Sequence, residues 1–155
     1  MSALPSLEEV NGLFAMLFGE NTVCKPGKTP LPADAAAIIA TYRDNAGAVK
    51  RLLACDLPFA NSAGAALSMI PVGVVNDATK AGNVPENIFA NLQEVMNIAV
   101  NLFADSFGER LELAVVARGK DLSPEIRDAM KAGQKTTFDV SIPRYTAGRV
   151  SLIAS

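Results

Sequence analysis

Glu94 and Asn97 stand three positions apart in a segment, Asn87 to Asp105, that contains no cation. On a helix that spacing puts both side chains on one face. A carboxylate there can pair with a partner's lysine. A carboxamide donates and accepts at once, so it can hold a water in a chosen orientation. Read as one helix, the segment aligns Asn87, Asn91, Glu94, Asn97, Asn101 and Asp105 at steps of three and four. Phe89, Leu92, Met96 and Phe103 then face inward. Each Asn is a poor helix former, disfavoured by roughly 0.5–0.7 kcal/mol against Ala. Drift on a solvated face explains such a stripe as readily as function does, and both readings stay open at this level.

The Glu-x-x-Asn spacing occurs a second time, at Glu8 and Asn11. There Glu8 belongs to Ser6-Leu7-Glu8-Glu9, a capping-box pattern, and the match is read as incidental. Asp121-Leu122-Ser123-Pro124-Glu125 reads as a helix start, because acids and proline are favoured there. Asn76-Asp77 reads as a cap, and Asp44-Asn45-Ala46-Gly47 as a turn. No glycine-rich loop is followed by lysine in the phosphate-binding pattern.

Composition removes several classes. The chain has no histidine, which excludes His-based triads and His-ligated metal sites. Cys24 and Cys55 are too few for a zinc site. Half of the residues are hydrophobic and 19% are charged, so the chain is globular rather than disordered. A formal charge of -2 without a Lys/Arg cluster argues against nucleic acid and against an anionic membrane surface. Met1 to Glu9 has acids and no basic stretch, unlike a signal peptide, and Leu13 to Phe18 is too short to span a bilayer. The expectation is a cytoplasmic protein with reduced thiols.

A chain of 155 residues predicts one domain. It divides into an N-terminal helix and irregular connector, 1–32, and a core, 33–155. Val10, Leu13, Phe14, Leu17 and Phe18 form one face of the first helix, which Gly19 stops. Glu20 to Pro32, with Pro26, Gly27 and Pro30, reads as irregular. Strands are predicted near Ala35–Tyr42, Ala48–Leu57, Leu111–Ala117, Thr136–Ile142 and Arg149–Ala154, the first two as a hairpin. Asn61 or Ser62 is expected to cap a helix over Ala63–Ile70, broken at Pro71 and Gly73. Pro85 opens the amide-striped helix. Runs of strands without strict βαβ alternation predict an α+β fold, a largely antiparallel sheet with long helices packed on it.

The order of segments, together with Glu94-Val95-Met96-Asn97-Ile98, resembles the CheC/CheX chemotaxis phosphatase family. The hairpin at Asp44-Asn45-Ala46-Gly47-Ala48-Val49, the small-residue helix Ala63–Ile70, Asp121-Leu122-Ser123-Pro124 and the closing strands carry the rest of the likeness. Ala90 stands where the family has Asp or Ser, and Pro124 lies farther from Asn97 than in the family's pattern. Ala63–Thr79 holds no second copy of the motif, so the resemblance is to the single-site, CheX-like type. It implies hydrolysis of the phospho-aspartate of a CheY-type response regulator. Asn97 would position the water, and Glu94 would pair with the regulator's lysine. Mg2+ would arrive with the receiver domain, and the protein itself would be a homodimer. The alternative is a non-catalytic interaction or dimerisation module on the same fold.

Overall fold

The computed structural model describes residues 4–27, 31, 37–107 and 110–154, excluding the side chains of 104–107. In chain order the elements are α1 (Leu7–Phe18), β1 (Val23–Pro26), β2 (Ile38–Arg43), β3 (Val49–Cys55), α2 (Leu57–Ala66), α3 (Val72–Lys80), α4 (Glu86–Ile98), α5 (Val100–Phe107), β4 (Glu112–Arg118), α6 (Pro124–Ala132), β5 (Gln134–Ser141) and β6 (Gly148–Ala154). The strands form one six-stranded antiparallel sheet in the order β1-β5-β6-β3-β2-β4. This is the α+β class expected from the strand runs.

Period-two alternation assigns the two faces. Ile38, Ala40, Tyr42, Leu53, Cys55, Phe138, Val140, Val150 and Leu152 point into the larger core, beneath α1, α2, α4 and α5. Ile39, Leu52, Ala54 and Ile153 point the other way, against Ile126 and Met130 of α6. The central strands are therefore covered on both faces, which is why burial runs unbroken through Ile38–Tyr42 of β2 and Arg51–Cys55 of β3.

Local chemistry sets most ends. The Ser6 hydroxyl accepts from the Glu9 N–H at 3.2 Å, and Glu9 accepts from the Ser6 N–H at 3.1 Å, so the capping box forms. The Asp44 carboxylate accepts from the N–H groups of Ala46 and Ala48, closing the hairpin turn. Ser123 caps α6.

Four expectations need correction. Part of the connector Glu20–Pro32 is ordered as β1, an edge strand paired with β5. Its proline is tolerated at the end of an edge. Residues 28–30 and 32 lie outside the described residues, as do Ala35 and Ala36 of the next predicted strand. The second helix is capped by Asp56, not Asn61 or Ser62: Asp56 accepts from both Phe59 N–H and Arg149 N–H at 3.0 Å. Asn61 and Ser62 are buried inside α2, bonded to Asn83 and Thr146 carbonyls respectively. Asn76-Asp77 sits within α3 rather than at a cap, with Asn76 accepting from the Thr146 hydroxyl. Finally, the stripe spans two helices, because the chain turns at Ala99 between α4 and α5.

Gly64 lets α2 approach α4 closely. A methyl group there would overlap the Ile88 carbonyl and side chain. Among the described residues, no helix is long and apolar enough to cross a membrane.

Gly64→Ala should therefore destabilise the fold by about 1–3 kcal/mol through overpacking. Gly12, inside α1 with nothing within 4 Å of its added Cβ, is the contrast. Gly12→Ala should stabilise by about 0.5–1 kcal/mol through helix propensity. Denaturant unfolding of the two variants checks the opposite signs.

Candidate functional site

The end of α4 is set by a side chain from the sheet. Tyr42, fully buried, donates its hydroxyl to the Met96 carbonyl at 2.6 Å. In an unbroken helix that carbonyl would accept from the Val100 N–H. A side chain inserted into the i→i−4 ladder is a recognised cause of a kink. The Leu102 N–H then closes a tight turn onto the Ala99 carbonyl at 3.0 Å. The Tyr42 ring also packs in a tilted contact with Phe103 of α5, ring centres 5.1 Å apart. One residue thus fixes both helices and the corner between them, directly beside Asn97.

Glu94 and Asn97 are both exposed on α4. Among the described residues, neither side chain has a hydrogen-bonding or ionic partner. Asn97 and Val100 line a hollow of about 470 Å3 with Arg110, Leu111, Glu112 and Leu113 at the start of β4. Arg110 and Glu112 form a loose ion pair there, at 3.7 Å and well exposed. Leu92, Met96 and Phe103 are buried as the helical phase requires, whereas Phe89 is only partly covered, beneath the Arg118 guanidinium at 5.1 Å from its ring centre.

The stripe is not uniform. Asn91 donates to the Gly64 carbonyl at 2.9 Å and to the Ser68 hydroxyl at 2.8 Å, so it ties α4 to α2. Asn87 and Asn101 are exposed, and the Asp105 side chain lies outside the described residues. Asp121 and Pro124 travel with α6 on the opposite face of the sheet from α4. Within that segment Glu125 pairs with Arg43 at 2.9 Å, and the guanidinium holds its carboxyl below the usual carboxylate range. The structure therefore brings Glu94 and Asn97 together and leaves Asp121 to Glu125 elsewhere.

The sheet order reveals what the sequence reading missed. Exchanging β1, β2 and β3 for β4, β5 and β6 and reading from the other edge gives the same order back. Under this internal two-fold, α1 preceding β1 is the counterpart of α4 and α5 preceding β4. Glu8 and Asn11 therefore lie on the helix equivalent to the one bearing Glu94 and Asn97. They too border a hollow, of about 360 Å3, with Leu7 and with Thr22, Val23 and Cys24 at the following edge strand. The repeated spacing was the available signal. The second copy sits in α1, not between Ala63 and Thr79. The two amides are used differently: the Asn11 side-chain oxygen accepts from the Cys24 N–H at 3.1 Å. Asn11 braces β1, while Asn97 is uncommitted. Burial pushes the adjacent Cys24 thiol up to about 11, so it stays protonated and inert. Among the described residues, no cluster of His, Cys, Asp or Glu could hold a metal ion.

No family model and no curated protein matches the sequence. Solved structures do match in shape. A chain of the CheX-CheY-BeF3-Mg2+ complex from Borrelia burgdorferi aligns with a TM-score of 0.61 at 17% identity, covering 96% of this chain and 95% of that one. A chain of the FliM-SpeE complex from H. pylori aligns at 0.66 and 6% identity, covering 96% and 80%. A CheC-like superfamily protein from Shewanella sp. PV-4 aligns at 0.53 and 17% identity, covering 97% and 95%. The fold is CheC/CheX-like.

The bonds separate two amides of the stripe. Asn91→Ala should destabilise by about 1–2 kcal/mol, because the part-buried Gly64 carbonyl loses its donor. Asn97→Ala should be neutral or stabilising by about 0.5 kcal/mol, since Ala restores helix propensity and no bond is lost. Tyr42→Phe should cost about 1–3 kcal/mol by leaving the Met96 carbonyl unpaired. Chemical denaturation of the three variants tests the ranking.

Proposed function

We propose that the chain is a phosphatase of the CheC/CheX kind, acting on the phospho-aspartate of a CheY-type response regulator in chemotaxis or related two-component signalling. The observation that carries this reading is the pair Glu94 and Asn97, exposed and uncommitted on one helix face beside a hollow. The neighbour solved as a CheX-CheY-BeF3-Mg2+ complex supplies the chemical setting, because beryllofluoride stands in for the transferred phosphoryl group.

Hydrolysis of an acyl phosphate needs a water in line with the scissile P–O bond and stabilisation of spreading charge. The Asn97 carboxamide meets the first need by accepting from the water through its oxygen and donating through its nitrogen. The water oxygen forms the new bond to phosphorus as the bond to the aspartyl oxygen breaks. Inorganic phosphate leaves, and the regulator's carboxylate is restored. Mg2+ would arrive with the receiver and would supply counter-charge to the phosphoryl group. The Glu94 carboxylate pairs with the receiver's lysine and sets the docking register. Asn97 needs a firm seat for this, and the Tyr42 bond at Met96 provides it. Self-association as a homodimer belongs to the same proposal.

A second reading is favoured by the FliM-SpeE neighbour, a protein of this fold seen holding a partner. On that reading the exposed face is a non-catalytic docking surface.

Mixing the chain with phosphorylated CheY-like receivers should accelerate phosphate loss. Asn97→Ala should lower the maximal rate by about 100-fold, the scale of removing one positioned group, with folding intact. Glu94→Ala should act mainly on half-saturation, by roughly 10-fold, and that effect should shrink at high salt. Receiver binding without any acceleration by the wild-type chain would falsify the phosphatase reading in favour of the docking module.

A further inference from the structure

The hollow beside Asn97 holds a positive charge that the α4 face lacks. Among the described residues that line it, Arg110 is the one basic side chain. Glu112, the first residue of β4, holds the Arg110 guanidinium only loosely, at 3.7 Å, and the two side chains are 78% and 68% exposed for Arg110 and Glu112 respectively. An exposed ion pair of that kind contributes only about 0–1 kcal/mol. It opens readily when a stronger anion arrives.

The internal two-fold supplies a comparison. The equivalent hollow beside Asn11 is lined by Leu7, Glu8, Thr22, Val23 and Cys24, and among the described residues it has no basic side chain. Asn11 is also committed there, to the Cys24 N–H. A free amide and a cation thus occur together in one hollow, and the other has neither. Packing does not account for Arg110, which stands in water ahead of a strand whose ladder with β2 begins at Glu112. Its replacement leaves no buried group unpaired.

A phosphoryl group brought to Asn97 carries negative charge spread over its oxygens. Glu94 lies three residues back on the same exposed face, and Glu112 lines the hollow itself. Two carboxylates repel such a group, and one cation offsets them. We propose that Arg110 is the residue by which this chain tells a phosphorylated receiver from an unphosphorylated one: its guanidinium leaves Glu112 and donates to the phosphoryl oxygens. The inference rests on the reading of this face as a receiver site and deepens it by naming what recognises the phosphoryl group. A guanidinium suits the task, because its planar fork of N–H donors engages two phosphoryl oxygens at once. The contact forms with the intact acyl phosphate, so it acts on affinity rather than on the maximal rate. Glu112 keeps Arg110 beside Asn97 and competes with the phosphoryl group for it.

Calorimetric affinities of the full chain for a panel of CheY-like receivers test this. Each receiver is loaded with beryllofluoride and Mg2+, or with Mg2+ alone, and turnover of the phosphorylated form is followed in parallel. The readout is the ratio of loaded to unloaded affinity. The wild type should prefer the loaded form by at least about 10-fold, the scale of one charge-assisted contact, and Arg110→Ala should lower the ratio by about that factor. Arg110→Lys should recover part of it, since the charge returns without the fork. Glu112→Gln should raise the ratio, and the rise should vanish in the Arg110→Ala background. Glu94→Ala should instead lower loaded and unloaded affinities together. Turnover separates this proposal from the one it rests on. An Arg110-dependent preference without acceleration removes the phosphatase reading and keeps Arg110 as the phosphoryl-recognising residue. Acceleration with an unchanged ratio in Arg110→Ala removes Arg110 and keeps the phosphatase. The proposal is also overturned by a wild type that binds no receiver or binds both forms alike, or by a Glu112→Gln gain that survives without Arg110.

Discussion

The geometry of the candidate site depends on one buried hydrogen bond, from the Tyr42 hydroxyl to the Met96 carbonyl. A buried carbonyl in a helix interior is ordinarily satisfied by its own ladder. Here the ladder stops, and a side chain from β2 takes over at 2.6 Å. The bond cannot loosen without leaving polar atoms unpaired in an apolar core, and Tyr42 is wholly inside that core. Burial drives the phenol pKa far above its ordinary value, so it remains a donor at any working pH. Asn97 follows Met96 directly. Its backbone is thus referenced to the central sheet rather than to a frayed helix end, which suits a group whose proposed task is to hold a water in line.

The internal two-fold clarifies what each half of the chain does. α1 with β1 and α4 with β4 are related halves, each with a Glu-x-x-Asn helix over the start of an edge strand. They diverge in how the amide is used. Asn11 secures β1 through Cys24, in a half where the edge strand has only four residues. β4, with seven, is paired along its length with β2 and needs no such brace. A longer ladder frees Asn97 from structural duty. In the same way Asn91 is held by Gly64 and Ser68, so the amide stripe combines attachment to α2 with an open face further along α4.

What could be read from the sequence was what local chemistry decides. The capping box at Ser6 and Glu9, the Asp44 turn, the Ser123 start of α6 and the strand runs each follow from residues within a few positions of one another. The parts that escaped depend on distant partners. β1 exists because β5, more than a hundred residues later, supplies its hydrogen bonds. Asp56 reads as a strand end until Arg149 arrives to share its carboxylate. The break at Ala99 has no Gly or Pro to announce it, since its cause is Tyr42. The equivalence of α1 and α4 is carried by sheet order, which pattern reading along the chain does not contain. For the site, the face shared by Glu94 and Asn97 was legible from spacing alone. That Asn91 is structural and Asn97 uncommitted was not, because the difference lies in α2.

The same division bears on function. An enzyme that builds its own reaction centre encloses perturbed acids, bases or metals in a cleft. α4 offers an exposed carboxylate and an exposed amide on a rigid helix, beside an open hollow. Such a surface has chemistry only when a partner brings the electrophile and its counter-charge. Phosphoryl transfer suits that arrangement, because its loose transition state asks mainly for positioning and electrostatics. A lone amide can contribute to the first when the receiver already provides the second. The rigidity that Tyr42 imposes then becomes the discriminating feature. A docking surface tolerates a helix end that adjusts on contact, whereas a water held for in-line attack does not. Under the phosphatase proposal, the Tyr42 bond is what gives Asn97 the fixed seat that an in-line water requires.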